Sequence, residues 1–118
     1  MTIEARAIGS VVVLDMNGRL VLGDDQLLKE RVASLLAQGS RWIVLNASKL
    51  AYVDSSGLGA IVSSFLAARN QGGGMRLVGA SLRLHQLLAV AKLLSVVDSC
   101  DSEEEAIERL GGVITAVP

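Results

Sequence analysis

The residues best suited to chemistry lie in one short segment, Asp54-Ser55-Ser56-Gly57-Leu58-Gly59. The segment comes directly before a periodic apolar stretch that predicts a helix, so either Asp54 or Ser55 is placed to be the helix N-cap. A hydroxyl at a helix N-terminus lies next to free backbone N–H groups and the positive end of the helix dipole, and both favour a bound phosphate. Two interpretations therefore stay open: a structural cap followed by glycines that permit close packing, or an exposed hydroxyl that takes a phosphoryl group and controls the docking of a partner.

The remaining reactive residue types do not assemble into a catalytic or metal-binding motif. His85 is the single histidine and occupies a predicted helix, where a surface position is expected. Cys100 is the single cysteine, which excludes a disulfide framework and a thiolate metal site and favours a reducing compartment. Ser55 is not in a Gly-x-Ser-x-Gly nucleophile elbow, and the glycine run at 72–74 lacks the Lys-Ser/Thr of a phosphate-binding loop. We therefore expect no enzymatic activity, no metal and no cofactor.

The composition excludes further classes of function. The chain has 118 residues with 11 basic and 12 acidic side chains, so it has no excess positive charge with which to bind nucleic acid. Only Trp42, Tyr52 and Phe65 are aromatic, too few for a platform on which single-stranded nucleic acid stacks. No apolar run approaches the roughly 20 residues of a membrane span, and residues 1–6 lack the pattern of a signal peptide. We expect a cytoplasmic protein without direct membrane insertion.

Strand and helix patterns alternate along the chain. Short β-branched or apolar runs predict strands near residues 3–8, 11–14, 42–45 and 75–78. We expect a hairpin through Gly9-Ser10, a turn at Asn17-Gly18 that ends the second strand, and a further short strand near Val96 and Val97. The clearest helix follows the Asp54 segment, and its expected apolar face consists of Leu58, Ile61, Val62, Phe65, Leu66 and Arg69.

The predicted order of elements defines a fold class. Strands that alternate with helices require parallel neighbours joined by right-handed crossovers, whereas the opening hairpin is antiparallel. We therefore predict an α/β fold with a mixed sheet of four to five strands, about four helices and an opening β-hairpin. The last helix is expected to begin at the capping box Ser102-Glu103-Glu104-Glu105 and to end near Leu110.

The Asp54 segment and its surroundings resemble a known family. The run Tyr52-Val53-Asp54-Ser55-Ser56-Gly57-Leu58-Gly59-Ala60-Ile61 is similar to the signature of STAS domains of the anti-sigma factor antagonist type. Further matching stretches are Asn17-Gly18-Arg19-Leu20, Trp42-Ile43-Val44-Leu45-Asn46, a glycine turn and Leu77-Val78, in the order and spacing of that family. The resemblance covers essentially the whole chain and implies a single STAS domain over residues 1–118.

The resemblance implies a binding switch rather than an enzyme. Members of the family dock on an anti-sigma factor serine/threonine kinase and are released when the first hydroxyl residue after the Asp is phosphorylated. A serine phosphatase then restores the docking form. In this chain the corresponding position is Ser55. The expected partner-binding residues are Asp54, Ser55, Ser56, Gly57, Leu58, Gly59, Val21 and Asp24.

One departure from the family pattern supports an alternative. Val21 stands where other antagonists often have an Asp near the phosphorylation site, with Asp24 and Asp25 a turn later. This change, together with a mean hydropathy of +0.48, favours to some extent a stand-alone STAS subunit that regulates a membrane transporter, such as a lipid-trafficking ABC permease. A third hypothesis, an enzyme with Ser55 as its nucleophile, lacks a convincing base.

Overall fold

Within residues 1–115, whose backbone the computed structural model describes, five strands form one mixed sheet; side chains are described for residues 1–110. The strands are β1 (Thr2–Ile8), β2 (Val11–Leu20), β3 (Trp42–Val53), β4 (Gly74–Val78) and β5 (Ser99–Cys100). The helices are α1 (Asp25–Ala37), α2 (Ser55–Asn70), α3 (Leu82–Val90) and α4 (Glu103–Thr115). Strand order across the sheet follows the chain; β1 is antiparallel to β2, and the later neighbours are parallel. The predicted mixed α/β sheet with its opening hairpin is confirmed.

The helices form two layers, because successive residues of a strand point to opposite faces of the sheet. On β2, Leu14 belongs to an apolar cluster with residues of α1, α2 and α3. Its neighbour Val13 belongs to a second cluster, with Ala106 and Leu110 of α4. The sheet is thus covered by α1, α2 and α3 on one face and by α4 on the other, which explains the continuous apolar run at the start of β3.

The turn predicted at Asn17-Gly18 is wrong. β2 continues through both residues to Leu20 and stays paired with β3. The register between the two strands shifts once before Asn17 and once after Gly18, and Gly18 has a φ of +108°. Glycine adopts a positive φ without steric cost, so the strand takes up two irregularities instead of reversing direction. As a result, β2 extends to the carboxyl end of β3, where the Asp54 segment begins.

The buried face of α2 is shifted by one position towards the N-terminus from the predicted stripe, so the two sets share only Ile61 and Phe65. It consists of Gly57, Ala60, Ile61, Ser64, Phe65 and Ala68. Leu66 is 41% exposed and Arg69 is exposed, although the pattern places both on the apolar face. Small side chains let α2 approach its neighbours closely, and Ser64 Oγ satisfies its donor on the Ala60 carbonyl oxygen at 2.7 Å. A pattern dominated by large apolar residues misses such a face.

The end of the chain also differs from the expectation. The further short strand predicted near residues 96–97 forms three residues later, because the N–H groups of Val96 and Val97 both donate to the Leu93 carbonyl oxygen in a turn. β5 begins only at Ser99. The last helix forms at the predicted position but continues past Leu110 to Thr115.

A cluster of polar side chains ties the start of α4 to the sheet. The Arg6 guanidinium of β1 donates to the Asp15 carboxylate of β2 and, through Nη2, to Glu103 Oε2 at 2.8 Å. Asn46 Nδ2 of β3 donates to the same Glu103 oxygen at 3.0 Å. The hydrogen bond from Arg6 is the main cause that lowers the pKa of Glu103 below its ordinary value. Glu103 therefore connects α4 directly to β1 and β3, and through Arg6 to β2.

We expect the Glu103→Gln substitution to lower the free energy of unfolding at pH 7 by about 1 kcal/mol or less, because it removes one partly exposed ion pair. The folded pKa of Glu103 is depressed, so its contribution is present above the unfolded pKa and is lost as the pH falls through the folded pKa. The two proteins should therefore converge in acid. Urea unfolding at a series of pH values measures this difference. Glu104→Gln is the matched control, since it removes a charge from the same helical turn without breaking a described bond; an equal effect of both changes would contradict the role of Glu103.

Candidate functional site

Asp54 is the N-cap of α2, and Ser55 is the first residue of the helix. The Asp54 backbone is extended, with φ −94° and ψ −175°, and its Oδ1 accepts a hydrogen bond from the Gly57 N–H at 2.9 Å. Because the carboxylate performs the capping, the hydroxyl of Ser55 is not needed for it. Ser55 is exposed, and among the described residues its hydroxyl has no hydrogen-bond partner. Of the two candidate caps, the structure therefore selects Asp54 and leaves Ser55 accessible.

The second carboxylate oxygen of Asp54 joins α2 to the loop after β2. Asp54 Oδ2 accepts from the Leu22 N–H at 2.9 Å, and the Asp54 N–H donates to the Leu20 carbonyl oxygen at 3.2 Å. Hydrogen bonds from the N–H of Gly57, and less strongly from that of Leu22, hold the pKa of Asp54 below its ordinary value against an opposing effect of desolvation. One ionised side chain thus fixes two segments that are more than 30 residues apart in sequence.

The two glycines of the segment have different environments. Gly57 is buried, and a Cβ atom there would lie 2.3 Å from the Leu20 carbonyl oxygen. Gly59 is exposed, and a Cβ atom there would meet nothing within 4 Å. Gly57 is therefore required for the close approach of α2 to the end of β2. Gly59 lies on the same helical face as Ser55, four residues away, and leaves the surface beside the hydroxyl flat.

The loop between β2 and α1 brings the more distant predicted residues to this place. The Asp24 N–H donates to the Val21 carbonyl oxygen at 2.8 Å, which closes a turn, and Val21 and Asp24 are half-buried. The Asp24 side chain makes no capping bond to α1; its Oδ1 lies 3.8 Å from the Met1 amino group. Leu58, by contrast, packs against the core between the sheet and the helices. The structure thus groups Val21 and Asp24 with the Ser55 end of α2 and assigns Leu58 mainly to packing.

Four residues that the sequence interpretation did not assign to the site lie near it. The Tyr52 ring is 38% exposed, with the Arg19 guanidinium carbon 5.3 Å and the Arg83 guanidinium carbon 5.7 Å from its centre. Tyr52 is paired with Arg19 in the parallel register of β2 and β3, so that contact was available from strand alignment. Arg83 comes from the first turn of α3 and has no sequence motif that would have identified it. The fourth residue is Leu22, whose N–H donates to Asp54 and whose side chain is 77% exposed.

The other two reactive side chains considered in the sequence analysis are those of Cys100 and His85. Cys100 is buried in the cluster beneath α4, and its burial raises the pKa of the thiol. His85 is half-buried on α3. In the described part of the chain, no helix combines the length and the apolar character needed to cross a membrane.

We expect Asp54→Ala to lower the thermal unfolding temperature clearly, because it removes the cap of α2 and the bond to Leu22 together. Asp24→Ala is the matched control: it also alters an aspartate at a helix start, but one that makes no side-chain capping bond. Calorimetry of both variants measures the contrast. A loss of stability as large for Asp24→Ala as for Asp54→Ala would contradict the assigned role of Asp54.

The two glycines provide an internal comparison within one helix. Gly57→Ala should lower the free energy of unfolding by about 2 kcal/mol, because the new methyl group overlaps backbone that cannot move freely. Gly59→Ala should raise it by about 0.5–1 kcal/mol, since alanine is the better helix former and the site has room. Chemical unfolding of both variants gives the values, and similar effects of the same sign would refute this assignment of space.

Known proteins resemble this chain both in sequence and in fold. The STAS domain family model matches residues 2–106. The anti-sigma-B factor antagonist of Bacillus subtilis is 26% identical over 97 residues, which cover 82% of this chain and 88% of that protein. A TM1081 homologue from Thermotoga neapolitana is 30% identical over 108 residues, 91% of this chain and 96% of its own. The crystal structure of TM1081 from Thermotoga maritima has a TM-score of 0.86 at 27% identity and covers 92% of this chain and 94% of that one.

These matches extend over the sheet, α1, α2, α3 and the Asp54 segment, and the relatives are covered over nearly their whole length. The predicted resemblance is therefore confirmed at the level of the family. The chain belongs to the STAS domain family.

Proposed function

We propose that this chain is a cytoplasmic anti-sigma factor antagonist, a single-domain binding switch without enzymatic activity. It docks on an anti-sigma factor serine kinase through the Ser55 end of α2 and is released when Ser55 is phosphorylated; a serine phosphatase restores it. The observation that carries the proposal is that Asp54 and Ser55, although adjacent, have separate roles. Asp54 caps the helix, and Ser55 remains exposed with a free hydroxyl.

The surroundings of Ser55 accommodate a phosphoryl group without loss of the fold. Its hydroxyl has no described hydrogen bond, so esterification breaks no contact within residues 1–110. The group would lie at the positive end of the 16-residue helix α2, which favours negative charge. The names of the relatives, among them the anti-sigma-B factor antagonist of Bacillus subtilis, support the assignment.

The added charge gives a physical reason for release. A phosphoserine carries about −1.5 to −2 charges at neutral pH. It would lie beside Asp54, which is already ionised because its pKa is lowered. Phosphorylation therefore changes both the charge and the shape of a surface that is otherwise flat at Gly59. A partner fitted to the unmodified surface loses contact area and faces unfavourable charge.

The test begins with capture of the kinase on immobilised Ser55→Ala protein from an extract of the source organism. With ATP, this kinase should transfer the γ-phosphoryl group to Ser55 Oγ, with release of ADP and the hydroxyl proton. Intact-mass analysis should show one phosphate on the parent chain and none on Ser55→Ala. Ser56→Ala is the matched control and should still be modified, because Ser56 is half-buried one residue further into the helix.

The binding measurements separate this proposal from its alternative. Ser55→Asp should weaken the complex with the kinase, and Ser55→Ala should preserve it. Equal phosphorylation of Ser55→Ala and the parent chain would show that the site is wrong. Recovery of a membrane permease on the immobilised chain, with no kinase, would favour a transporter subunit instead.

A further inference from the structure

Five residues lie at the ends of β2 and β3, in the loop after β2 and at the start of α3, and we call them the edge surface: Arg19, Leu22, Tyr52, Leu82 and Arg83. Tyr52 connects both arginines, since each guanidinium carbon lies within 6 Å of its ring centre. Leu82 precedes Arg83 at the start of α3. Leu22 is fixed to the Ser55 end of α2 by its N–H bond to Asp54. The edge surface therefore combines residues from the ends of β2 and β3 and the start of α3.

The two leucines of the edge surface are exposed far more than the fold requires. Leu22 is 77% and Leu82 is 73% exposed, in a chain whose core excludes most of its large apolar side chains from water. Neither belongs to the two apolar clusters that cover the faces of the sheet. Leu22 follows β2 and Leu82 begins α3, the two elements that carry Arg19 and Arg83, and exposed apolar side chains near arginines are typical of contact with another protein.

The positive charges of the edge surface are also left without internal partners. Within residues 1–110, no carboxylate lies within 4 Å of the Arg19 or the Arg83 guanidinium, whereas Arg6 and Arg76 both form such ion pairs. The Tyr52 ring restrains both guanidinium groups, since a cation is attracted to an aromatic ring within about 6 Å of its centre. Planar groups restrained in this way are suited to bind carboxylates through paired hydrogen bonds.

The carboxylates nearest in sequence to the edge surface are already engaged. Asp54 accepts from the N–H groups of Gly57 and Leu22, and Asp25 Oδ1 accepts from the Gly23 N–H at 2.9 Å. Asp24 lies near the Met1 amino group. The acceptor groups are therefore directed to the chain itself, and the guanidinium groups remain available to a partner.

We infer that the edge surface binds a partner protein whose contact face carries carboxylates opposite Arg19 and Arg83 and apolar hollows for Leu22 and Leu82. The inference deepens the proposed function, because it rests on docking at the Ser55 end of α2. It also supplies a cause for release: a phosphoryl group on Ser55 would face the same carboxylates that the arginines attract. Phosphorylation then repels the partner that the unmodified edge surface selects.

The chemistry of the edge surface favours a protein over a nucleic acid or an anionic membrane. The whole chain has a net charge of −1, and three aspartates lie at the same end of the molecule. Repeated phosphates would meet those aspartates as well as the arginines. A folded partner can place single carboxylates opposite Arg19 and Arg83 and apolar groups opposite the leucines.

The inference can be tested without the kinase. The probe is a random glutamate–tyrosine copolymer, added to ¹⁵N-labelled protein and followed by NMR chemical shifts. The shifts should centre on the five residues of the edge surface, and a lysine–tyrosine copolymer should give none there. Shifts spread evenly over all exposed arginines, or stronger binding of single-stranded DNA or anionic vesicles at the edge surface, would overturn the inference.

Charge reversal provides the matched comparison. The double variant Arg19→Glu/Arg83→Glu should bind the glutamate–tyrosine copolymer about tenfold or more weakly than the parent, and moderate salt should weaken the parent as well. Arg41→Glu/Arg69→Glu makes the same charge change at two other exposed arginines and should bind like the parent. Equal losses for the two double variants would overturn the inference. Thermal unfolding of each variant verifies that the fold is retained.

The outcome is distinguishable from that of the phosphorylation experiment. Copolymer binding is measured on the unmodified chain, so its result does not depend on whether any kinase modifies Ser55. The captured kinase should bind Arg19→Glu/Arg83→Glu about tenfold or more weakly than Arg41→Glu/Arg69→Glu. Phosphorylation of Ser55 by a kinase that binds both double variants equally would support the proposed function and refute the edge surface as its docking site.

Discussion

The arrangement of the candidate site depends on one carboxylate. Asp54 caps α2 through one oxygen and accepts from the loop after β2 through the other, while its own N–H bonds to the last residue of β2. These contacts set the position of Ser55 and of Leu22 relative to each other. They also favour the ionised form of Asp54, because hydrogen bonds from the N–H groups of Gly57 and Leu22 hold the pKa of its carboxyl below its ordinary value. The same carboxylate therefore both positions the site and carries a negative charge beside Ser55.

Much of the fold follows from the sequence, because strands and helices alternate with clear apolar periods. The errors occur where a residue type has two structural uses. Asn17-Gly18 forms turns in hairpins, yet here the glycine permits a positive φ inside a paired strand. The buried stripe of α2 contains Gly57 and Ser64, which an apolar pattern does not count. In both cases segments that are far apart in the sequence lie close together in space, and a local sequence pattern does not reveal such contacts.

The candidate site divides in a similar way. Ser55 and the residues after it were identified from a continuous motif, and the structure adds that Asp54 rather than Ser55 is the cap. Val21 and Asp24 lie at the same place because the bond from Leu22 to Asp54 brings their loop there. Arg83 could not have been found, since it meets Tyr52 only after α3 has packed on the sheet. Asp54 and Ser55, which give the helix its cap and its exposed hydroxyl, are adjacent in the sequence. The residues around them come from distant segments that only the tertiary structure brings together.

The five strands lie in the sheet in the order in which they occur in the chain, and this order affects how two molecules could associate. It leaves β1 and β5 as the outer strands, whose unpaired backbone groups could extend the sheet into a second molecule. β5 has only two residues, and β1 carries exposed charges at Glu4 and Arg6. Short or charged outer strands are poor templates for intermolecular pairing. The fold thus discourages aggregation through its backbone and leaves side-chain surfaces as the means by which the molecule meets other proteins.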